Sequence, residues 1–169
     1  MIERFFEYLI QKLYWEFRKK DNLPFGSLNP EPVIKFGGFV LEEPYWNKVK
    51  EQVEVRRGWH VKEPLLKMGE IPVYTRAIYL NKLFLHKQMG LQVFFESKAE
   101  FDKYFNAESL AEVVSHELAH AILTDTNPKS QEINGGHGKE HDKLTAELNK
   151  LLKTFEEYQE LKSHWKVLK

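Results

Sequence analysis

The sequence predicts an α+β fold in which a small mixed sheet lies between helices instead of alternating with them. Apolar residues recur at helical spacing near both ends of the chain, whereas apolar and polar residues alternate in its middle. No linker or repeat interrupts the chain, and 169 residues are enough to bury one core. We therefore expect residues 1–169 to form a single domain.

The first half of the chain is expected to hold an N-terminal helix and most of the sheet. Residues 2–20 place their apolar side chains on one helical face, and the turn residues of "DNLPFGSLNPEP" end that helix. The segments "VIKFGGFVL" and "VEVRRGWHV" predict strands, with a turn or bulge at Gly37 and Gly38. A further strand is predicted in "IPVYTRAIYL" (71–80) and a shorter one in "LQVFFES" (91–97).

The second half is expected to hold the helix of the candidate site and a C-terminal helix. Asn106 is the predicted N-cap of a buried helix over 107–123, with Glu108 in its first turn, where the helix dipole favours a carboxylate. The segment "DTNPKSQEINGGHG" predicts a loop. Leucines at helical spacing then predict a final helix from about 139 to 163.

Composition limits the kinds of site and partner. The chain has no cysteine, which excludes disulfides, thiolate metal sites and a cysteine nucleophile, and agrees with a cytoplasmic location. Lys+Arg and Asp+Glu are both 25, so nucleic-acid binding remains possible through a local patch but is not supported by the overall charge. Charges interrupt the apolar N-terminus, so we expect no membrane association.

A candidate metal site lies in "SHELAHAILTDTNPKSQEINGGHGKEH" (115–141). Residues four apart lie on one helical face, so His116 and His120 can bind one cation. Glu117 lies close enough to reach a water on that cation without binding the cation itself. This is the arrangement of the H-E-x-x-H metalloprotease motif, in which the glutamate is the general base.

The third ligand must come from farther along the chain. Leu123 and Thr126 stand where the metzincin pattern requires Gly and His, so that class is excluded. Glu140 or Glu147 would serve if the site followed the thermolysin type, which takes a glutamate. His137 is the better match, because the glycines of "NGGHG" allow the sharp turn that brings its ring to the metal.

These motifs resemble those of a known family. "SHELAHAIL" followed by "GHGKEHDKL" is similar to the SprT-like (Spartan-type) zinc metalloproteases over residues 110–145, with H-E-x-x-H and then G-H-G-x-x-aromatic. The resemblance implies a zincin-like fold that hydrolyses peptide bonds, with Glu117 as general base and Zn²⁺ held by three histidines: His116, His120 and His137. Two features depart from the family: a histidine, His141, stands at the aromatic position, and there is no cysteine-based zinc ribbon.

The remaining histidines have other expected roles. His141 has three interpretations: packing as the family's aromatic residue does, contact with the ligands or the substrate in a second shell, or ligation in place of His137. His60, His86 and His164 are isolated in the sequence and are expected to be ordinary surface or core residues.

The leading hypothesis is a zinc-dependent endopeptidase that acts on a protein or peptide. The alternatives are another HExxH peptidase, of the ImmA-like type with a glutamate as third ligand, and a non-catalytic zinc-containing binding module. A peptide substrate is expected to add to a sheet edge formed by "VYTRAIYL" or "LQVFFES". Candidates to stabilise the oxyanion are chosen by chemistry alone: Tyr74, Arg76, Tyr79 and Tyr104.

Overall fold

The computed structural model describes five segments of the chain: residues 2–20, 33–68, 71–85, 98–126 and 137–165. These residues form the following elements in chain order: α1 (Ile2–Lys20), β1 (Val33–Val40), β2 (Tyr45–Asn47), β3 (Gln52–Glu54), β4 (Gly58–Met68), β5 (Ile71–Asn81), a 3₁₀ turn (Lys82–Phe84), α2 (Lys98–Tyr104), α3 (Ala107–Thr126), α4 (Lys139–Lys153) and α5 (Glu156–Ser163). The predicted α+β class and the N-terminal helix are confirmed. The expected strand over 91–97 and His86 lie outside the described residues.

The main sheet is mixed, as predicted, in the order β1-β5-β4. Strand β5 lies in the centre, parallel to β1 and antiparallel to β4. The β1–β5 register shifts between Phe36 and Gly38, which confirms the predicted bulge. Gly38 has a φ of 130°, a conformation that a residue with a side chain rarely adopts.

Two expectations about the strands are wrong. "VEVRRGWHV" is not one strand, because it contains the end of β3, the start of β4 and a break between them at residues 55–57. Asn81 explains the break: its side-chain amide donates to the carbonyl of Arg56 (2.7 Å) and its backbone N–H to that of Arg57 (2.8 Å). In addition, "VYTRAIYL" belongs to the central strand, which is paired on both sides and therefore cannot accept an added strand.

Helix α1 packs its apolar face against β1, and two polar side chains fix the contact. The Glu7 carboxylate accepts from the backbone N–H of Phe36 at 2.6 Å, and the Gln11 amide donates to the carbonyl of Ile34. The buried residues of α1 join one hydrophobic core with those of the sheet and the later helices. The α1 members of that core are Phe6, Leu9, Ile10, Leu13, Tyr14 and Phe17. None of the helices described here is long and apolar enough to cross a bilayer.

Helix α3 begins where the sequence predicts and ends later. Asn106 is confirmed as its N-cap, because the Asn106 Oδ1 atom accepts from the backbone N–H of Ser109 at 2.8 Å. The predicted loop beginning at Asp125 is wrong at its start, since the helix continues through Thr126.

The expected C-terminal helix is two helices, α4 and α5, with a break at Thr154 and Phe155. The Thr154 hydroxyl donates to the carbonyl of Leu151 at 2.6 Å, which satisfies a carbonyl at the end of α4. Phe155 then takes an extended conformation, with φ of −75° and ψ of 136°, and its buried ring joins the core. The break turns α5 so that the Tyr158 hydroxyl donates to the carbonyl of Ala107, at the start of α3, at 3.2 Å.

Candidate metal centre

Helix α3 carries the first part of the site within the core. It packs against β4, β5 and α4, so apolar residues occupy most of its surface. Its fully buried apolar residues are Leu110, Ala111, Val114, Leu118, Ala119 and Ala121. Glu117 and His120 are 8% and 6% exposed, and His116 is partly exposed at the mouth of a cleft. Because buried polar groups need partners, these three side chains require specific contacts.

Three histidine rings meet at one point. The Nε2 atom of His120 lies 3.2 Å from that of His116 and 3.2 Å from that of His137, and the His116–His137 distance is 3.3 Å. Helix α3 supplies two of these rings, and His137 supplies the third from the residues just before α4. The structure therefore brings together the three histidines that the family resemblance implies as ligands.

The three nitrogen atoms cannot satisfy one another by hydrogen bonding. A protonated Nε2 only donates and an unprotonated Nε2 only accepts, so at least one of the three contacts joins two atoms of the same kind. A cation at the centre accepts all three lone pairs at once. Nitrogens at about 2.0–2.1 Å from a tetrahedral zinc ion lie about 3.3–3.4 Å apart, which is close to the spacing here. The donor set thus fits zinc in both chemistry and spacing.

Burial keeps His116 in the form that binds a metal. Burial is the main cause that lowers the pKa of His116 to about 4, the neighbouring histidines lower it further, and Glu117 opposes the change. The ring is therefore neutral near pH 7, with a lone pair free on one nitrogen.

Glu117 contacts a fourth histidine, His60, which comes from β4. The Glu117 Oε2 atom lies 3.2 Å from His60 Nδ1, and Glu117 Oε1 lies 3.9 Å from His116 Nε2. The His60 ring also stacks on that of His120, with 5.4 Å between centroids and 18° between planes. His60, which is isolated in the sequence and was expected to be an ordinary surface or core residue, is thus in contact with Glu117 and His120. Its only sequence signal was its place in a predicted strand, which does not reveal a partner 57 residues away.

His141 lies beside the triangle of nitrogens and is 2% exposed. One ligand atom from each of His116, His120 and His141 lies within 4.8 Å of the others, so distance alone also permits that set to hold an ion. However, His141 Nε2 lies 3.0 Å from the carbonyl oxygen of His116, to which it donates. Its ring also lies face-on to His120, at 3.9 Å and 24° between planes. Because a ligand uses an in-plane lone pair, this face-on stacking on His120 favours His137 over His141 as the third member of a metal-binding set.

An open cleft of about 570 Å³ borders His116 and Glu117. One wall is residues 55–58, and the other is formed by α3 and α4, including Glu112 and Asn149. A second cleft, of about 650 Å³, lies beside the β2–β3 hairpin and also borders residues 55–57. The candidate site is thus reached from solvent along the edge of the sheet at which β4 begins.

Two of the four candidates for oxyanion stabilisation, Tyr79 and Tyr104, lie away from the three histidine rings. Tyr79 pairs with Trp59, one residue before His60, so it lies on the opposite face of the sheet from His60. Tyr104 lines the second cleft. Arg76 is buried in β5 opposite Lys62, which places it on the same face of the sheet as His60. The side chain of Tyr74 lies outside the described ones.

No protein-family model, no curated protein and no solved structure matches this chain.

Proposed function

We propose that this chain is a zinc-dependent endopeptidase of the SprT-like, zincin-like kind. The observation that carries the proposal is the triangle of Nε2 atoms, 3.2–3.3 Å apart, next to a buried carboxylate that is not part of the triangle. A purely structural zinc site gains little from such a carboxylate, because burying an ionised group is costly. A hydrolytic site of the H-E-x-x-H type uses such a carboxylate as its general base.

In this proposal His116, His120 and His137 hold the zinc ion. Three protein ligands would leave the ion able to hold a water as well, as in catalytic zinc sites. When bound, zinc lowers the pKa of a coordinated water towards about 7 and polarises the carbonyl of the scissile peptide.

Glu117 performs the proton transfers. Its Oε1 atom, 3.9 Å from His116 Nε2, is the oxygen closer to the ligands and is free to take a proton from the attacking water. Glu117 then returns that proton to the leaving amine. Its burial, with 8% of the residue exposed, removes bulk water and strengthens the interaction with the reacting groups.

The substrate approaches along β4 in this proposal. Of the strands that the structure describes, β4 is the edge next to the site, since β5 pairs with it on one side alone. Zincin-type enzymes typically receive a peptide as an added strand. Strand β4, which carries His60, can offer the backbone N–H and C=O groups of its outer side to such a strand. The cleft beside Glu117 then accommodates the side chains of an extended polypeptide.

The ImmA-like alternative with a glutamate ligand is less well supported. Glu140 and Glu147 both lie on α4 and are exposed to solvent. His137 already supplies a third nitrogen at 3.2 Å from His120. A glutamate could replace it only by moving into the triangle.

The test combines metal analysis with one substitution and a matched control. Purified protein is expected to contain about one zinc ion per chain and to cleave fluorescein-labelled casein, with activity lost on chelation and restored by Zn²⁺. Glu117→Gln should lower kcat by at least about 10²-fold and keep the zinc, because it removes only the base. Glu108→Gln makes the same chemical change on the same helix, but at an exposed residue outside the cleft, and should leave kcat within about twofold.

Two results would count against the proposal. Full activity in Glu117→Gln would show that the base is assigned wrongly. Zinc binding without cleavage of any unfolded polypeptide would favour the non-catalytic zinc module.

A further inference from the structure

The two oxygens of Glu117 have different surroundings. Oε2 lies 3.2 Å from His60 Nδ1, whereas Oε1 points towards the ligands, 3.9 Å from His116 Nε2. Oε2 is therefore held by His60, and Oε1 is available to accept a proton. A general base needs this division, because an oxygen occupied by a strong donor is a poorer proton acceptor.

His60 is the donor in this contact. An ionised carboxylate has no hydrogen to give, so His60 Nδ1 must carry the proton. The hydrogen bond is charge-assisted and lies in a poorly solvated place, since the side chains of His60 and Glu117 are 27% and 10% exposed. The terminal torsion of a glutamate is broad and has no fixed preference of its own. A fixed donor is therefore needed to hold the plane of the carboxylate.

Gly58 allows β4 to come close enough to α3 for this contact. A Cβ atom at Gly58 would lie 2.4 Å from Val113 Cγ1 and 3.2 Å from the carbonyl oxygen of Tyr79. A side chain there would push the strand away from the helix. Because His60 follows two residues later and stacks on His120, the close approach fixes both the strand and the ring.

We propose that His60 is a positioning residue, which holds Glu117 by one oxygen so that the other faces the attacking water. The inference rests on the proposed peptidase function and adds a residue from the sheet to a site otherwise built from α3 and the residues just before α4. His60 acts through Glu117 and needs no contact with the substrate.

The experiment compares two substitutions at His60. His60→Asn keeps an N–H donor near the position of Nδ1, whereas His60→Leu keeps the bulk and removes the donor. We expect His60→Leu to lower kcat about 10- to 100-fold on labelled casein, with KM changed less than about twofold and with one zinc ion retained. His60→Asn should recover most of that kcat. His164→Leu, at an exposed histidine, is the control and should leave kcat unchanged.

A readout independent of activity tests the contact itself. Thermal unfolding is measured for His60→Leu, Glu117→Ala and the double variant. If the pair interacts, the change in Tm of the double variant differs from the sum of the two single changes. Gly58→Ala gives a second route, because it should separate β4 from α3 and lower kcat without altering His60.

The outcomes separate this inference from the proposed function. A wild-type protein that binds zinc and cleaves nothing overturns the proposed function, and with it the catalytic role of His60, while the Tm comparison still decides whether the pair exists. An active wild type with equal kcat in His60→Leu and His60→Asn overturns the positioning role alone. Additive changes in Tm overturn the contact.

Discussion

Helix α3 meets the C-terminal helices in two places that differ in kind. At its start, the exposed carboxylate of Glu108 pairs with Lys153 and Lys162, each at 2.8 Å, and the buried Tyr158 hydroxyl donates to the carbonyl of Ala107. At its middle, the contact consists of imidazole rings whose Nε2 atoms lie 3.2–3.3 Å from one another. The first place connects the helices, whereas the second brings together the nitrogen atoms to which we attribute zinc binding.

Polar side chains are better satisfied at the start of α3 than near its middle. At the start of α3 the side chains of Asn106, Glu108 and Ser109 all have partners, and the ion pairs can be lost at small cost because they are exposed. Near the middle, several buried side-chain atoms lack a hydrogen-bond partner: Ser115 Oγ, His141 Nδ1 and Asn149 Oδ1. Such groups each oppose folding, and their concentration on the helices of the site is typical of a functional region.

The largest effect on zinc affinity should come from His137, which completes the triangle of nitrogen atoms at the middle of α3. His137→Ala should reduce zinc affinity by more than about 100-fold, because even a partner of a ligand contributes about 10- to 100-fold. Zinc affinity is measured by competition with a chromogenic chelator. Glu140→Ala, three residues away and exposed, is the matched control. Loss of zinc in Glu140→Ala, with zinc kept in His137→Ala, would support the glutamate-ligand alternative.

A smaller effect is expected at His141, which contacts the ligands without joining them. His141→Phe keeps a planar ring against His120 and removes the donor to the carbonyl of His116. Zinc affinity should fall about 10-fold, as for the loss of a group that orients a ligand. If His141→Phe abolished zinc binding as fully as His137→Ala, then His141 would be a ligand and the assignment would be wrong.

At the other end of α3, Tyr158→Phe should cost about 1 kcal/mol of unfolding free energy, since one buried hydrogen bond is lost and the ring still fills its place. Burial also raises the pKa of Tyr158 to about 12, so the hydroxyl stays a donor across the neutral range. Urea denaturation measures the change, and zinc affinity serves as the control, because it should not alter. A change in zinc affinity would show that the two places on α3 are coupled.

The smallest effect is expected at Glu108. Hydrogen bonds from Lys153 and then Lys162 lower the pKa of the Glu108 carboxyl below its usual 4.5. A lowered pKa in the folded state contributes stability that is fully present above about 4.5 and is lost as the pH falls through the lowered value. Since the side chain is 48% exposed, Glu108→Gln should cost only about 0.3–0.5 kcal/mol at pH 7. The difference from wild type should vanish in acid, and a difference that persists there would contradict the ion-pair explanation.

Local patterns predicted most elements well. The apolar stripe of α1, the cap at Asn106 and the bulge near Gly38 depend on neighbours within a few residues, and each is confirmed. The predictions were wrong where a residue distant in the sequence, or the packing of the core, determines where an element ends. Asn81 ends β3 by binding the carbonyls of residues 56 and 57, and the core position of Phe155 divides the last helix in two.

The sequence by itself determined the part of the site that one helix encodes. A helix repeats its faces every 3.6 residues, so the spacing of His116, Glu117 and His120 fixes two imidazoles and a carboxylate near one another in any helix. The glycines around His137 also indicated a residue that could approach the pair. For this local part, covalent geometry and helical periodicity are sufficient.

The tertiary structure decided which distant groups complete the site. Gly58 lets β4 approach α3, so that His60 reaches Glu117, and the start of α4 leaves His137 in the triangle while it commits His141 to a backbone carbonyl. These choices depend on how closely a strand and two helices pack. Packing distances are set by side chains that lie far apart in the chain, and no spacing in the sequence records them.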